Sequence, residues 1–221
     1  MTYLPVLEEL DQDGAIQETA EQVDGDTRAS FLRKAGLGTG AILGGGAIAG
    51  ALPALAGAAS SRDVSILNFA LTLEYLEAAF YNEAIAKGSF SGELGTFARV
   101  VGRHENKHVS FLKGALGRSA VKKPKFNFKD TTTDEDKFKA TAKALEDTGV
   151  SAYLGQVGRI QSKMILAAAG SILPIEARHA AWIRDIIGSG TDPSPAPSAF
   201  EGARTKAQVL RIVKATGFIV G

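Results

Sequence analysis

The sequence has no cysteine among its 221 residues. This absence excludes disulfide bonds, thiolate nucleophiles and metal sites built on cysteine, such as zinc–thiolate and iron–sulfur centres. Histidine is scarce as well, and the three histidines are His104, His108 and His179. A metal site in this chain therefore has to take most of its ligands from carboxylates.

The chain also lacks an excess of charge of either sign, since its formal net charge is +1. This balance, together with the absence of nucleic-acid-binding motifs, predicts that nucleic acid is not a partner. The two signs are nevertheless segregated, because residues 1–26 hold eight acidic residues and no Lys or Arg. An acidic head of this kind predicts a separate, poorly ordered segment over residues 1–26.

Residues 27–59 have the order of an export signal, with basic residues first, then an apolar run and small residues. The run TRASFLR resembles a twin-arginine signal, although Ala29 stands where the second arginine of the pair is expected. An uncleaved membrane anchor and a buried Gly/Ala helix of a cytosolic protein are the alternatives. The pattern predicts export, or anchoring on the outer side of the cytoplasmic membrane (periplasm or cell envelope), with the export machinery or the membrane contacting residues 27–59.

Apolar residues beyond Ser60 recur at helical spacing in four long segments. The predicted helices cover about 60–88, 91–117, 133–154 and 163–187. A basic, irregular stretch at 118–132 separates the two pairs, and no segment alternates with the period of a strand. The predicted fold is all-α, a four-helix bundle made of two helix hairpins and a long crossover.

The bundle is expected to span residues 60–190. Residues 191–221 are predicted to form a Pro/Gly-rich loop and a short C-terminal helix that begins at Thr205. Pro174 falls inside the fourth helix and predicts a kink there.

An internal repeat carries the acidic and imidazole groups of interest. Glu105 and Glu176 each begin a Glu-x-x-His motif, and each has a partner Glu about 30 residues earlier. The two halves repeat with a period of 71–72 residues. The residues in this pattern are Glu74, Glu105, His108, Glu146, Glu176 and His179.

Helical geometry predicts that these six side chains converge. Residues i and i+3 share a helix face, so the Glu and His of each motif reach one point. Within each hairpin the two Glu lie at similar distances from the turn, which places them at one height. Four buried carboxylates need neutralisation, and two divalent cations balance their charge. This ligand mix suits iron or manganese better than a dedicated zinc site.

The pattern resembles the ferritin-like superfamily of di-metal carboxylate bundles. Four local strings are similar to its bacterial branch with desiccation-related proteins: ILNFALTLEYLEAAFY, RHENKHVSFLKGALG, ALEDTGVSAYLGQ and ILPIEARHAAWIRDIIG. The resemblance covers about residues 61–188. It implies that Glu105 and Glu176 bridge two metals, that Glu74 and Glu146 are terminal carboxylates, and that His108 and His179 each ligate one metal.

Three further residues are candidates for supporting the ligands: Glu77, Tyr81 and Tyr153. Glu77 lies one turn after the first Glu, and the alternatives for it are a solvated position or a ligand role. Each tyrosine lies two turns after a Glu, where it could simply pack, hydrogen-bond to a ligand carboxylate or act as a radical site. His104 is expected on another helix face, at the surface or behind a ligand.

The resemblance implies a function as well as a fold. Two iron ions are the expected cofactors, with manganese as the alternative, and Fe(II) would react with dioxygen or peroxide in protection of the envelope against oxidative or drying stress. No catalytic residue separate from the metal ligands is expected, and a homo-oligomer is the remaining partner considered. The alternatives are a non-catalytic structural or desiccation-protective bundle, and a substrate oxygenase, which requires an apolar pocket beside the metals.

Overall fold

A computed structural model describes residues 59–188 and 195–220. These residues form five α-helices: α1 Ser61–Lys87, α2 Gly92–Leu116, α3 Glu135–Val157, α4 Lys163–Gly188 and α5 Lys206–Thr216. Within the described ranges no strand is present, and a single bridge pairs Phe126 with Ile219. The predicted all-α bundle with a short C-terminal helix is confirmed.

The helices begin where the capping residues predict. The Ser60 side chain accepts a hydrogen bond from the Asp63 amide at the start of α1, and Asp134 does the same for α3. Thr205 and Gln208 form a complete capping box at α5. Ser91 precedes α2 but makes no side-chain capping bond.

The two hairpins pair α1 with α2 and α3 with α4, and α2–α4 and α1–α3 contacts join the hairpins. Asp63 links the start of α1 to the α3–α4 turn by hydrogen bonds. Its carboxylate is buried and accepts hydrogen bonds from the backbone amides of Gln161 and Ser162, at 2.9 and 3.1 Å. These bonds fix the relative height of the hairpins, on which the layer of Glu and His depends.

Two apolar clusters flank that layer along the bundle axis. One cluster contains Phe80, Phe97 and Phe138 and extends to α5, and the other contains Leu71 and Ile165. On α2 and α4 the Glu105 and Glu176 positions fall between the two clusters in sequence, so the polar layer lies inside a bundle that is apolar on both sides.

The long crossover between α2 and α3 is anchored by the C-terminal segment. The Asn127 amide donates to the Phe218 carbonyl at 2.8 Å, and the Val220 amide donates to the Lys125 carbonyl at 2.9 Å. Phe128 is buried beneath this pairing. After a 3₁₀ turn at Gly117–Ser119 the crossover is irregular, as predicted, and these bonds give some of its backbone groups partners without a sheet.

The α4 helix is unbroken from Lys163 to Gly188 with Pro174 inside it, and a kink at that residue stays a prediction. The acidic segment 1–26 and the predicted signal or anchor segment 27–59, except Ala59, lie outside the described residues, as do residues 189–194 of the region predicted to be a loop. Among the helices of the described ranges, none is both long and apolar enough to cross a membrane.

Candidate metal centre

The four long helices bring the six predicted ligand residues into one buried layer. Helices α1 and α3 each contribute one carboxylate, and α2 and α4 each contribute a Glu and a His one turn apart. All four carboxylate side chains are fully buried, namely Glu74, Glu105, Glu146 and Glu176. His179 is buried as well, and the His108 side chain is 12% exposed.

His108 faces three of the carboxylates. Its Nδ1 lies 3.1 Å from Oε1 of Glu176, 3.2 Å from Oε2 of Glu105 and 3.2 Å from Oε2 of Glu74. Four ligands from three helices therefore point at one volume on the His108 side of the layer.

His179 forms the second half of the layer. Its Nδ1 lies 3.1 Å from Oε1 of Glu105 and 3.2 Å from Oε2 of Glu146. The two oxygens of Glu105 thus face different imidazoles. The ligand atoms form two groups within 4.8 Å, one around each histidine, and both groups share Glu105 and Glu176.

Three carboxylate oxygens in the layer have no hydrogen-bond donor: Oε1 of Glu105 and both oxygens of Glu176. Two of these oxygens lie 3.1 Å from an imidazole Nδ1, but one N–H can point at only one of the oxygens around it. A buried carboxylate oxygen without a donor is costly. A cation between the carboxylates removes that cost.

Burial and mutual repulsion shift the carboxyl groups toward the neutral form. Burial raises the pKa of Glu74 to about 7, against the opposing effect of His108. Burial also raises the pKa values of Glu146 and Glu176. Glu105 is the exception: burial acts to raise its pKa, but the two adjacent histidines outweigh burial and hold the pKa well below the ordinary value.

The imidazoles shift in the complementary direction. Burial acts to lower the pKa of His179, but Glu105 and Glu146 prevail and raise it to about 10. The carboxylates around His108 raise its pKa far above the ordinary value in the same way. In the metal-free chain, protons on the imidazoles therefore do part of the neutralisation that metal ions would do.

The two tyrosines connect the hairpins through the carboxylates of Glu74 and Glu146. Tyr81 on α1 donates a hydrogen bond to Oε1 of Glu146 on α3. In the same way, Tyr153 on α3 donates to Oε1 of Glu74 on α1, and this second bond is 2.5 Å long. Both hydroxyls are buried, and burial together with the facing carboxylate raises each tyrosine pKa well above its ordinary value. Each of these two carboxylates is therefore held by a neutral O–H donor from the opposite hairpin.

Glu77 is a fifth buried carboxyl beside the layer. It is 3% exposed, so the solvated alternative for this residue is wrong. Its position in the repeat corresponds to Gly149, and a Cβ at Gly149 would lie 3.2 Å from Oε1 of Glu77 and 3.1 Å from Oε2 of Glu176. Burial, then repulsion by Glu176, raises the Glu77 pKa well above its ordinary value, which favours the neutral acid. The glycine leaves the space that these two carboxyl groups occupy.

Residues 62–189 match the family model of the ferritin-like domain. The chain belongs to the ferritin-like family. The match covers more than half of the 221 residues and includes every member of the buried layer. No curated protein matches the chain.

The donor set of this ferritin-like domain fits metal ions. Four carboxylates and two imidazoles supply oxygen and nitrogen donors suited to a metal ion, and three of the oxygens have no hydrogen-bond partner. The structure brings all six predicted residues together, and their ligand roles, including the bridging roles of Glu105 and Glu176, stay predictions.

His104 lies behind a predicted ligand, which is one of the two positions expected for it, and its partner there is His179. Nδ1 of His104 lies 2.9 Å from Nε2 of His179, on the side of the His179 ring away from the carboxylates. Burial and the neighbouring His179 lower the pKa of His104, which favours its neutral form. The contact crosses from α2 to α4, and no spacing within one helix could have indicated it.

An apolar cavity lies next to the centre, between Tyr153 and residues of all four long helices such as Leu73, Leu112 and Ala169. The volume within which the centre of a water molecule can move in this cavity is about 20 Å³. A cavity of this size holds about one water-sized molecule.

Gly149→Ala is expected to weaken metal binding by roughly tenfold. This is the size of effect seen when a residue that hydrogen-bonds to a metal ligand is removed. The added methyl group would displace the carboxylate of Glu176, which belongs to both ligand groups. Gly170→Ala is the matched control, because this helical glycine has open space around its Cβ position. Calorimetric Co(II) titration of both variants measures the difference. Equal affinity in the two would show that Gly149 does not shape the layer.

The metal-free protein is expected to lose stability as the pH rises. The folded state raises the His179 pKa from 6.5 to about 10, so this contribution is full below pH 6.5 and is lost toward pH 10. The Glu74 pKa rises from 4.5 to about 7 on folding, so its contribution to stability is lost as the pH rises from 4.5 to about 7. The depressed Glu105 pKa opposes this trend only below pH 4.5.

The Tm of the metal-free chain should therefore fall by about 5 °C or more between pH 5 and pH 9. Differential scanning calorimetry in the presence of a chelator measures this change. The metal-loaded chain is the control and should show no such fall, since bound cations replace the protons. A metal-free Tm that rises over this range would contradict the electrostatics of the layer.

Proposed function

We propose that this ferritin-like domain binds two iron ions, with manganese as the alternative metal, and oxidises Fe(II) with dioxygen or peroxide as the electron acceptor. One observation supports the proposal above the others. The residues form two groups of four possible ligand atoms, one with His108 and one with His179, and the groups share the carboxylates of Glu105 and Glu176. Such sharing is what a pair of metals at close range requires.

Each of the six residues would have its own role in holding the metals. Glu105 and Glu176 would each span both positions, Glu74 and Glu146 would each close one end, and each imidazole would bind through Nδ1. Both imidazoles must release their Nδ1 protons on metal binding, so uptake of metal releases protons to the solvent.

Bound iron would supply the electrons: two Fe(II) become two Fe(III) while one dioxygen and two protons become one hydrogen peroxide. Tyr81 and Tyr153 keep the terminal carboxylates oriented through O–H donation. Glu77, a neutral acid beside Glu176, holds a proton within the layer. The flanking apolar clusters exclude bulk water from these groups.

We place this activity at the cell envelope and in protection against oxidative or drying stress. The support is the basic, apolar and small-residue order of residues 27–59, with its similarity to a twin-arginine signal. The stress role is supported by the resemblance of residues 61–188 to desiccation-related members of the superfamily.

A structural role for the metals is the second candidate. The complete burial of the four carboxylates favours it, because a buried cluster would stabilise the bundle without exchanging reactants. In that case the metals hold the helices together and no oxygen is consumed.

The test is oxygen uptake by the full chain after anaerobic loading with two equivalents of Fe(II). The proposal expects uptake of one dioxygen per two Fe(II), with formation of peroxide, at a rate well above that of the same Fe(II) without protein. Loading with Zn(II), which has no accessible redox step, is the matched control. Tight iron binding without uptake would reject the oxidase and support the structural role.

A further inference from the structure

The two halves of the layer differ in the contact made by the imidazole nitrogen that faces away from the carboxylates. Nε2 of His179 lies 2.9 Å from Nδ1 of His104, and the two rings are nearly parallel, with an interplanar angle of 19°. Within residues 59–188 and 195–220, the recorded polar contacts of the His108 ring are all made by its Nδ1. In the repeat, His104 corresponds to Ile175, which has no side-chain nitrogen or oxygen.

The chemistry of a neutral imidazole fixes the direction of the bond between the two histidines. The Nδ1 of His179 faces Glu105 and Glu146, so a metal in that half needs Nδ1 without a proton. A neutral imidazole carries one N–H, which then has to be on Nε2. That N–H points at Nδ1 of His104, which accepts it.

We infer that His104 is a positioning residue for His179. By accepting the Nε2–H bond it fixes the tautomer and the orientation of the His179 ring, and it makes the His179 half of the centre bind metal more tightly than the His108 half. This inference rests on the proposed metal binding and adds that the two positions are unequal. Loss of a hydrogen bond to a metal-binding side chain commonly weakens metal affinity by 10–100-fold.

Two substitutions separate the hydrogen bond from the bulk of the ring. His104→Leu fills similar space without an acceptor. His104→Asn places a carbonyl oxygen close to the position of the histidine Nδ1 and can restore the bond. Arg103→Gln is the control, because this exposed neighbour on α2 has no recorded bond to the layer.

The first measurement is calorimetric Co(II) titration of the full chain. The wild type should bind in two steps of unequal affinity. His104→Leu should weaken the tighter step by 10–100-fold and leave the weaker step unchanged, whereas His104→Asn should recover most of the loss and Arg103→Gln should match the wild type. Two unequal steps that are the same in His104→Leu and in the wild type would overturn the inference while leaving the proposed metal binding intact.

The second measurement needs no metal and therefore separates this inference from the proposed function. In ¹⁵N-histidine-labelled full chain, only three ring systems contribute to the spectrum. The Nε2–H of His179 should exchange slowly with water, and at least tenfold faster in His104→Leu. An Nε2–H whose exchange is unchanged in that variant would overturn the inference. A chain that binds no Co(II) would contradict the proposed function, and the exchange rates would still decide the contact.

Discussion

Glu105→Ala is expected to abolish high-affinity binding at both metal positions. The two oxygens of Glu105 face the two imidazoles, at 3.2 Å from Nδ1 of His108 and 3.1 Å from Nδ1 of His179. Loss of a partner behind a ligand costs about 10–100-fold, so loss of a shared ligand should cost at least about 100-fold at each position. Metal analysis after anaerobic Fe(II) loading and desalting should fall from two ions per chain to none.

Two controls accompany this variant. Glu135→Gln removes a carboxylate from α3 whose side chain is 64% exposed, and it should keep two metals per chain. Glu105→Gln retains the shape of the side chain but not its charge, and it should fail as the alanine variant does. Retention of one tightly bound metal by Glu105→Ala would show that this residue serves one position and is not shared.

Removal of metal is expected to lower the Tm of the protein by about 10–20 °C. A ligand present at 100 times its Kd stabilises the folded state by about 2.7 kcal/mol per site, and two sites double this. In a protein of this length each kcal/mol corresponds to roughly 2–4 °C. The physical reason is the layer itself, in which buried carboxylates without a cation repel one another.

The measurement is an anaerobic thermal scan at pH 7, with Fe(II) and then with excess chelator. Glu105→Ala provides the control, because a variant that cannot hold the metals should show the same Tm in both scans. An equal shift in that variant would mean that the metal acts elsewhere on the chain. No shift in the wild type would mean that the layer is stable without cations.

Much of the fold follows from local patterns. Caps at Ser60 and Thr205 predicted helix starts that the structure has. The convergence of the Glu and His residues was predictable too. Residues three apart share a face, and equal distances from a turn give equal heights in a hairpin.

Contacts between the hairpins could not be predicted in the same way. The spacing left packing, a hydrogen bond to a ligand carboxylate and a radical role open for each tyrosine, and it gave no sign that Tyr81 bonds to Glu146 of the opposite hairpin. The approach of His104 to His179 depends on how α2 packs against α4. These features depend on helix rotation and interaxial distance, which periodicity within a single helix does not determine.

The central claim is that two metal ions lie between the four long helices. The most direct test is an anomalous difference map at the iron absorption edge, from crystals of the full chain loaded anaerobically with Fe(II). Two peaks should appear about 3.5–4 Å apart, one beside Nδ1 of His108 and one beside Nδ1 of His179, with Glu105 and Glu176 between them. A map without peaks in this layer, or with peaks only at surface carboxylates, would contradict the account.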